Sequence, residues 1–352
     1  MPAVQTLSQL AQGGRDNNLN AIRLLLAAVV LFSHCFPLTS GLEADPLSWL
    51  RHDSATLGSL AVDLFFFISG MLVTASWLNC KSMNDYLRRR ILRIVPGYLC
   101  GLAVGFFVAL IFAEHPLADL HSRLGNFRNS LALGIGGVQG DWIFPHNPFT
   151  HIANGSLWTI RPEFDCYLLV AGIGLACCFQ FRRLLLAAGL AVTAWYLHRH
   201  FPSEHSPWRF FSIFLTGACV RLWRDKIPVH AGIAAVALAV FIAAIFWSPF
   251  GMFLMTLSAC YLVLWAGYGV RIPCLSWCNR TDLSYGTYLY AFPVQQVIAA
   301  AGVTNPWVMF AAAMPPVLVL ALASWRFVEK PALRFKSRNI LDRDPALAAP
   351  AN

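Results

Sequence analysis

The chain has 352 residues, 57% of them hydrophobic and 12% charged, against roughly 25% charged in an average soluble domain. So few polar side chains cannot coat a core of this size, which excludes an ordinary water-soluble globule and turns the apolar surplus toward lipid. The formal charge of +9 sits in short Lys and Arg clusters between apolar runs, a pattern of membrane topology signals and not of a nucleic-acid face.

Crossing a hydrocarbon layer of roughly 30 Å takes about 20 apolar residues. Ten segments are expected to do so: Leu19–Pro37, Gly58–Leu78, Ile94–Ala113, Trp158–Phe179, Leu184–His198, Phe210–Trp223, Val229–Trp247, Met252–Tyr268, Leu283–Ala301 and Val308–Phe327. The sixth is the shortest and ends in Arg221, Trp223 and Arg224. The first 18 residues are polar and no A-x-A-like site follows the first apolar run, so that run is expected to stay as an anchor. With a cytoplasmic N-terminus, 19 of the 26 Lys and Arg fall on the cytoplasmic side, which by the positive-inside rule places both termini there. The expected fold is an all-α, polytopic membrane protein of about ten transmembrane helices. It comprises a short N-terminal segment (1–18), a transmembrane domain (19–335) and a short cytoplasmic tail (336–352).

An ionisable side chain inside a span is expensive unless paired, so each one marks a candidate site. The first span carries Arg23 and His34, eleven residues apart, or about 16 Å along a helix axis. The second carries Asp63 near its outer start. After it comes Tyr86-Leu-Arg-Arg-Arg-Ile-Leu-Arg-Ile-Val-Pro96, where Arg90 and Arg93 share a helix face and suit a bidentate grip on phosphate. A basic flank that only sets topology would read the same way. The connection from Glu114 to Leu157 holds Gly134, Gly136, Gly137 and Gly140, then Asp141, Trp142, Pro145, His146 and Pro148, and suits either a rim over a site or a simple covering. The fourth span carries Arg161 and Glu163. Counted from the span ends, His34, Asp63 and Glu163 reach one level in the outer third of the bilayer. A carboxylate there would hold the imidazole tautomer while the other ring nitrogen takes a proton from a hydroxyl; alternatively, Asp63 pairs with Arg161 as a structural clamp. The ten Cys lie mostly within or beside apolar runs, and Cys274 and Cys278 have no companions to complete a metal site; no metal is expected.

These stretches resemble the acyltransferase 3 family of integral-membrane O-acyltransferases from about Asn18 to Arg334. The Arg-x10-His pattern is Arg23 and His34; the Asp, Phe-rich, Ser-Gly signature is Asp63-Leu-Phe-Phe-Phe-Ile-Ser-Gly70; and Arg-x-x-Arg with a nearby Pro is Arg90, Arg93 and Pro96. Trp158-Thr-Ile-Arg-Pro-Glu-Phe-Asp-Cys-Tyr167 resembles Trp-Ser-Leu-x-x-Glu-x-x-Phe-Tyr, departing at Thr159 and Cys166. Ser284-Tyr-Gly-Thr-Tyr-Leu-Tyr-Ala-Phe-Pro293 resembles Ser-Tyr-x-x-Tyr-Leu-x-His-x-Pro, and Glu329-Lys-Pro331 the closing element. Ala291 stands where many members have His, so no role carries over there.

The resemblance implies transfer of an acyl group, usually acetyl, from cytoplasmic acyl-CoA to a hydroxyl of an extracytoplasmic glycan or glycolipid such as O-antigen or exopolysaccharide. The protein would lie in the cytoplasmic (inner) membrane, with acetyl-CoA or another acyl-CoA as co-substrate and no bound cofactor. It implies His34 as catalytic base with Glu163, or else Asp63, in support; Arg23, Arg90 and Arg93 on acyl-CoA; and Ser69, Trp158, Tyr167 and Tyr288 at substrate. Family members often append an extracytoplasmic hydrolase-like domain; none is expected in this sequence, so the chain is expected to act alone or with a separate periplasmic partner. Trp142, Trp158 and Trp208 suit stacking on sugar rings or an interfacial aromatic belt. The competing class is a proton-coupled transporter or flippase of a sugar or lipid, which also places His, Asp and Glu within spans.

Overall fold

A computed structural model describes residues 5–11, 17–42, 44–113, 125, 127–128, 130–131, 138–176, 181–200, 206–247 and 250–335. Gly134, Gly136, Gly137 and the tail from 336 onward lie outside these residues, as do parts of the N-terminal segment.

The described residues are mostly helical. Strand β1 (Gln5–Thr6) pairs antiparallel with β2 (Pro228–Val229), and α1 (Leu7–Leu10) follows β1 directly. The long elements are α2 (Leu19–Ser40), α4 (Leu57–Leu78), α5 (Met83–Ile111), α6 (Ile160–Ala176), α7 (Phe181–Trp195), α8 (Pro207–Leu222), α9 (Ala231–Ile245), α10 (Gly251–Leu264), α11 (Ser284–Ala300) and α12 (Pro306–Ser324). Short α3 (Pro46–Arg51) bridges α2 and α4, and α13 (Lys330–Arg334) closes the described chain. Each of the ten expected segments therefore contains a helix among the described residues. Among the described residues, five helices are long and apolar enough to cross a membrane: Leu19–Ser40, Leu57–Leu78, Met83–Ile111, Gly251–Gly269 and Pro306–Arg334. The other five long helices, Ile160–Ala176, Phe181–Trp195, Pro207–Leu222, Ala231–Ile245 and Ser284–Ala300, have 15 to 17 residues and rise about 22 to 26 Å, less than the roughly 30 Å of a hydrocarbon core.

Local chemistry sets the ends. The Thr56 hydroxyl accepts from the Ser59 N–H and the Ser59 hydroxyl from the Thr56 N–H, a reciprocal cap at the start of α4. Ser82 caps α5 through the Asp85 N–H, and Asn305 caps α12 through the N–H groups of Trp307 and Val308. Helix α2 ends at Gly41, whose φ of 76° is the left-handed conformation that glycine adopts without strain. Helix α5 begins well before the expected third span, so the basic stretch Arg88 to Arg93 is itself helical and Arg90 and Arg93 do share a face.

Helix α4 is the hub, packing on α8, α2, α10 and α6, while α11 packs on α12, α2 and α5. The α4–α8 contact is backbone on backbone. A methyl group at Gly70 would strike the Phe214 carbonyl, and one at Gly217 would strike the Phe67 carbonyl. Two reciprocal glycines thus set this crossing, the small-residue packing that membrane helices use. The large exposed side chains, among them Leu25, Phe107, Val236, Phe246 and Phe327, clothe the outside of the bundle in apolar atoms, as a lipid-facing surface requires.

Candidate active site

Two cavities meet inside the bundle. The first is small, about 120 Å³, and is walled by α2, α4, α5, α6 and α11. It gathers Arg23, Ser69, Arg90, Arg93, Glu163, Tyr167, Tyr285 and Tyr288 around an apolar wall of Val62, Phe65 and Leu72. The second is larger, about 600 Å³, and carries His34, Ser54, Thr56, Gln139, Ser156, Trp158, Arg209 and Tyr288. Val62 and Tyr288 line both, so the two cavities share one partition. The Tyr288 hydroxyl donates to the Ser156 carbonyl at 2.8 Å and lies 2.7 Å from the Thr159 hydroxyl, which fixes the ring in place.

The arginine cavity is organised by a residue that the sequence reading passed over. Asp282, at the foot of α11, takes Arg23 of α2 at 2.9 Å and Arg93 of α5 at 2.5 Å on the same oxygen, Oδ2. Its Oδ1 accepts from the Ser284 hydroxyl at 2.6 Å and from the Ser284 N–H. Burial opposes ionisation of this carboxyl, but the Arg23 and Arg93 guanidinium groups hold it well below the usual carboxylate range. Arg90 has no carboxylate partner among the described residues. It donates to the Ser76 hydroxyl at 3.1 Å, lies over the Tyr167 ring, and leaves its Nε buried without an acceptor. Three guanidinium groups line this cavity with a single carboxylate, Glu163, while Asp282 stands behind two of them. Glu163 accepts from the Tyr167 hydroxyl at 2.6 Å and the Ser69 hydroxyl at 3.0 Å. Seven of the ten expected site residues are thus brought to one cavity.

His34 belongs to the other. Its ring packs edge-on to Phe292, with centroids 5.3 Å apart, and its Nδ1 is buried with no partner among the described residues. The residue is half-buried and lines the larger cavity. Trp158 lines this cavity as well. Trp142 and Trp208 do not line it: Trp142 packs beneath Gly140 and Trp208 against Phe211. The loop over residues 138–156 supplies Gln139, Phe149, Ile152, Gly155 and Ser156 to its wall. That loop hangs from α11, because Gln296 donates to the carbonyls of Phe149 and Ile152, Asn147 donates to Gln296 Oε1 at 2.6 Å, and Asn154 donates to the Leu289 carbonyl at 2.9 Å.

The expected cluster of His34, Asp63 and Glu163 does not form. Asp63 lines neither cavity; it is buried on α4, where Arg209 Nε donates to Oδ1 at 2.8 Å and the Thr256 hydroxyl to Oδ2 at 3.1 Å. Its partner is Arg209, not Arg161, which is exposed. The reason is the start of α8: the helix begins at Pro207, before the expected Phe210, and carries Arg209 inward as a buried cation that only a carboxylate satisfies. The presence of a cation at the edge of a sixth apolar run was the available signal. For Asp282 it was a lone acid two residues before Ser284-Tyr-Gly-Thr-Tyr.

Residues 16–326 match the acyltransferase 3 family, described as an acyltransferase domain. The chain belongs to this family. This multi-pass membrane acyltransferase is 27% identical over 364 aligned residues to nodulation protein 10 of Rhizobium leguminosarum bv. viciae, covering 94% of this chain and 96% of that one. It is also 27% identical over 341 residues to the O-acetyl transferase of Shigella phage Sf6, covering 92% and 97% respectively. No solved structure matches it significantly. In this acyltransferase, Arg23 and His34 stand on one helix but open into different cavities, with the Val62 and Tyr288 partition between the two.

Proposed function

We propose that the acyltransferase moves an acetyl group from cytoplasmic acetyl-CoA to a hydroxyl of an extracytoplasmic glycan or glycolipid, in the cytoplasmic membrane with both termini inside. The observation that carries this reading is the pair of adjoining cavities, one holding three arginines and the other His34, with Val62 and Tyr288 common to both. The name of the phage relative, an O-acetyl transferase, supports acetyl as the group and oxygen as the acceptor atom.

Arg90, Arg23 and Arg93 take the CoA phosphates, to which planar guanidinium donors are matched in geometry and charge. The pantetheine arm runs past Val62 and Tyr288, over the roughly 16 Å of axial rise between Arg23 and His34. In the larger cavity the acceptor hydroxyl gives its proton to His34 as its oxygen attacks the thioester carbonyl. The new C–O bond forms, the C–S bond breaks, and the imidazolium returns the proton to the departing CoA thiolate. Glu163, held by Ser69 and Tyr167 on the donor side, shapes the path of the arm, whereas the Asp63 and Arg209 pair is structural. The 138–156 loop and Trp158 form the acceptor wall.

The test supplies labelled acetyl-CoA to membranes carrying the protein or His34→Ala at matched levels and follows label in surface glycan together with free CoA. A general base contributes roughly 10²- to 10⁴-fold, so labelling should fall by at least about 100-fold in the variant. Labelling that persists in His34→Ala, or folded wild-type protein that neither labels glycan nor releases CoA, overturns the assignment.

A further inference from the structure

We infer that Asp282 is a positioning residue for the donor site, the strut that holds the two arginines of α2 and α5 in their phosphate-gripping orientation. This rests on the reading of the arginine cavity as the acyl-CoA site. A single oxygen, Oδ2, receives both Arg23 and Arg93, and Ser284 occupies Oδ1 through its hydroxyl and its N–H. The carboxylate is therefore fully committed within the protein and offers nothing to a ligand. Two guanidinium groups from different helices would repel one another without it. Each donates one nitrogen to the strut and keeps its remaining N–H groups for the cavity that both line.

A second buried acid says where the arginines would go if Asp282 were lost. Glu329 lies within electrostatic reach of Arg23 and Arg93, accepts from the Ser324 hydroxyl, and among the described residues leaves Oε2 buried without a partner. It does not line the cavity. Freed guanidinium groups turn toward Glu329 and away from the ligand, so removal of a negative charge weakens anion binding here. Electrostatics at long range alone would give the opposite sign, and that makes the effect diagnostic.

The experiment measures the dissociation constant of acetyl-CoA for full-length protein purified in detergent, with thermal stability recorded on the same samples. Asp282→Asn should weaken binding about tenfold and Asp282→Glu about threefold, the size of one misplaced charge-assisted contact, with Arg90→Ala weakening it as well. S-acetylpantetheine, which keeps the thioester and lacks the nucleotide phosphates, should bind Asp282→Asn and wild type alike. If Asp282→Asn binds acetyl-CoA as wild type does while Arg90→Ala is weakened, the strut is refuted and the donor site stands. If neither variant is weakened, the donor-site reading falls and the strut with it. A variant with lowered melting temperature and unchanged binding identifies a merely structural residue and also refutes the inference. Should Asp282→Asn not be recovered as folded protein, Asp282→Glu decides: threefold weaker binding supports the strut and wild-type binding overturns it.

Discussion

Asp63 is the residue whose role changed most between sequence and structure, and the change predicts a measurable separation of stability from chemistry. Its carboxylate accepts from Arg209 at 2.8 Å and from Thr256 at 3.1 Å, with 1% of its side chain exposed and 5% of that of Arg209. Removing one member of such a pair leaves the other charge buried and uncompensated, which costs about 3 to 5 kcal/mol. At roughly 2 °C per kcal/mol for a chain of this size, Asp63→Asn or Arg209→Gln should lower the melting temperature by about 6 to 10 °C. The double replacement Asp63→Leu and Arg209→Met removes both charges and should be less destabilised than the sum of two single losses by at least about 2 kcal/mol. The assay is thermal unfolding of detergent-purified protein, read alongside acetyl-CoA consumption per folded molecule at a temperature well below the transition. The folded fraction of Asp63→Asn should keep turnover within a few-fold of wild type. Wild-type melting combined with abolished turnover in Asp63→Asn would place Asp63 in the chemistry and refute the structural account; strictly additive single and double effects would refute the pairing.

Other outcomes follow from the same geometry. Gly70→Ala or Gly217→Ala drives a methyl into the facing backbone carbonyl, and either should lower recovery of folded protein sharply, by more than about 3 kcal/mol of stability, as checked by size-exclusion profile and melting. Gln296→Leu strands the carbonyls of Phe149 and Ile152, so it should cost about 2 kcal/mol and raise hydrogen exchange across residues 138–156 while leaving acetyl-CoA affinity unchanged. Because Arg23 and Arg93 hold the Asp282 carboxyl below its ordinary value, its contribution to stability is complete above about pH 4 and is lost as pH falls through the lower folded-state value. Melting temperature against pH between about 5 and 2 should therefore fall more steeply in wild type than in Asp282→Asn.

Periodicity and hydropathy carried the helices well, because a buried or lipid-facing helix must be apolar whatever its neighbours. They carried the Arg-x-x-Arg face too, since Arg90 and Arg93 are spaced to meet on α5. Partnership was less legible. A depth count along separate spans put His34, Asp63 and Glu163 at one level, but depth says nothing about rotation, and each helix turns its acid toward a different neighbour. Arg209 takes Asp63 because α8 starts three residues early; Tyr167 and Ser69 take Glu163 because they lie within reach of its carboxylate. The capture of Arg23 and Arg93 by Asp282 joins residues 259 and 189 positions apart in the chain, a distance over which spacing carries no signal. The glycine pair of α4 and α8 was half visible in Ser69-Gly70, although its partner at Gly217 lay in the segment that hydropathy marked least clearly.

The partition between the cavities also bears on leakage. Under the proposed function a thioester passes through the thickness of the membrane, and it has to do so without short-circuiting the ion gradient, which stores about 2.3 kcal/mol per elementary charge for each 100 mV. A continuous file of water from the arginines to His34 would be a proton wire. Val62 offers such a file no hydrogen bond, and the Tyr288 hydroxyl is already engaged with Ser156 and Thr159. On that reading, an acyl arm moving between the cavities has to displace the Val62 or Tyr288 side chain locally, and in its absence those two side chains stand between the arginines and His34.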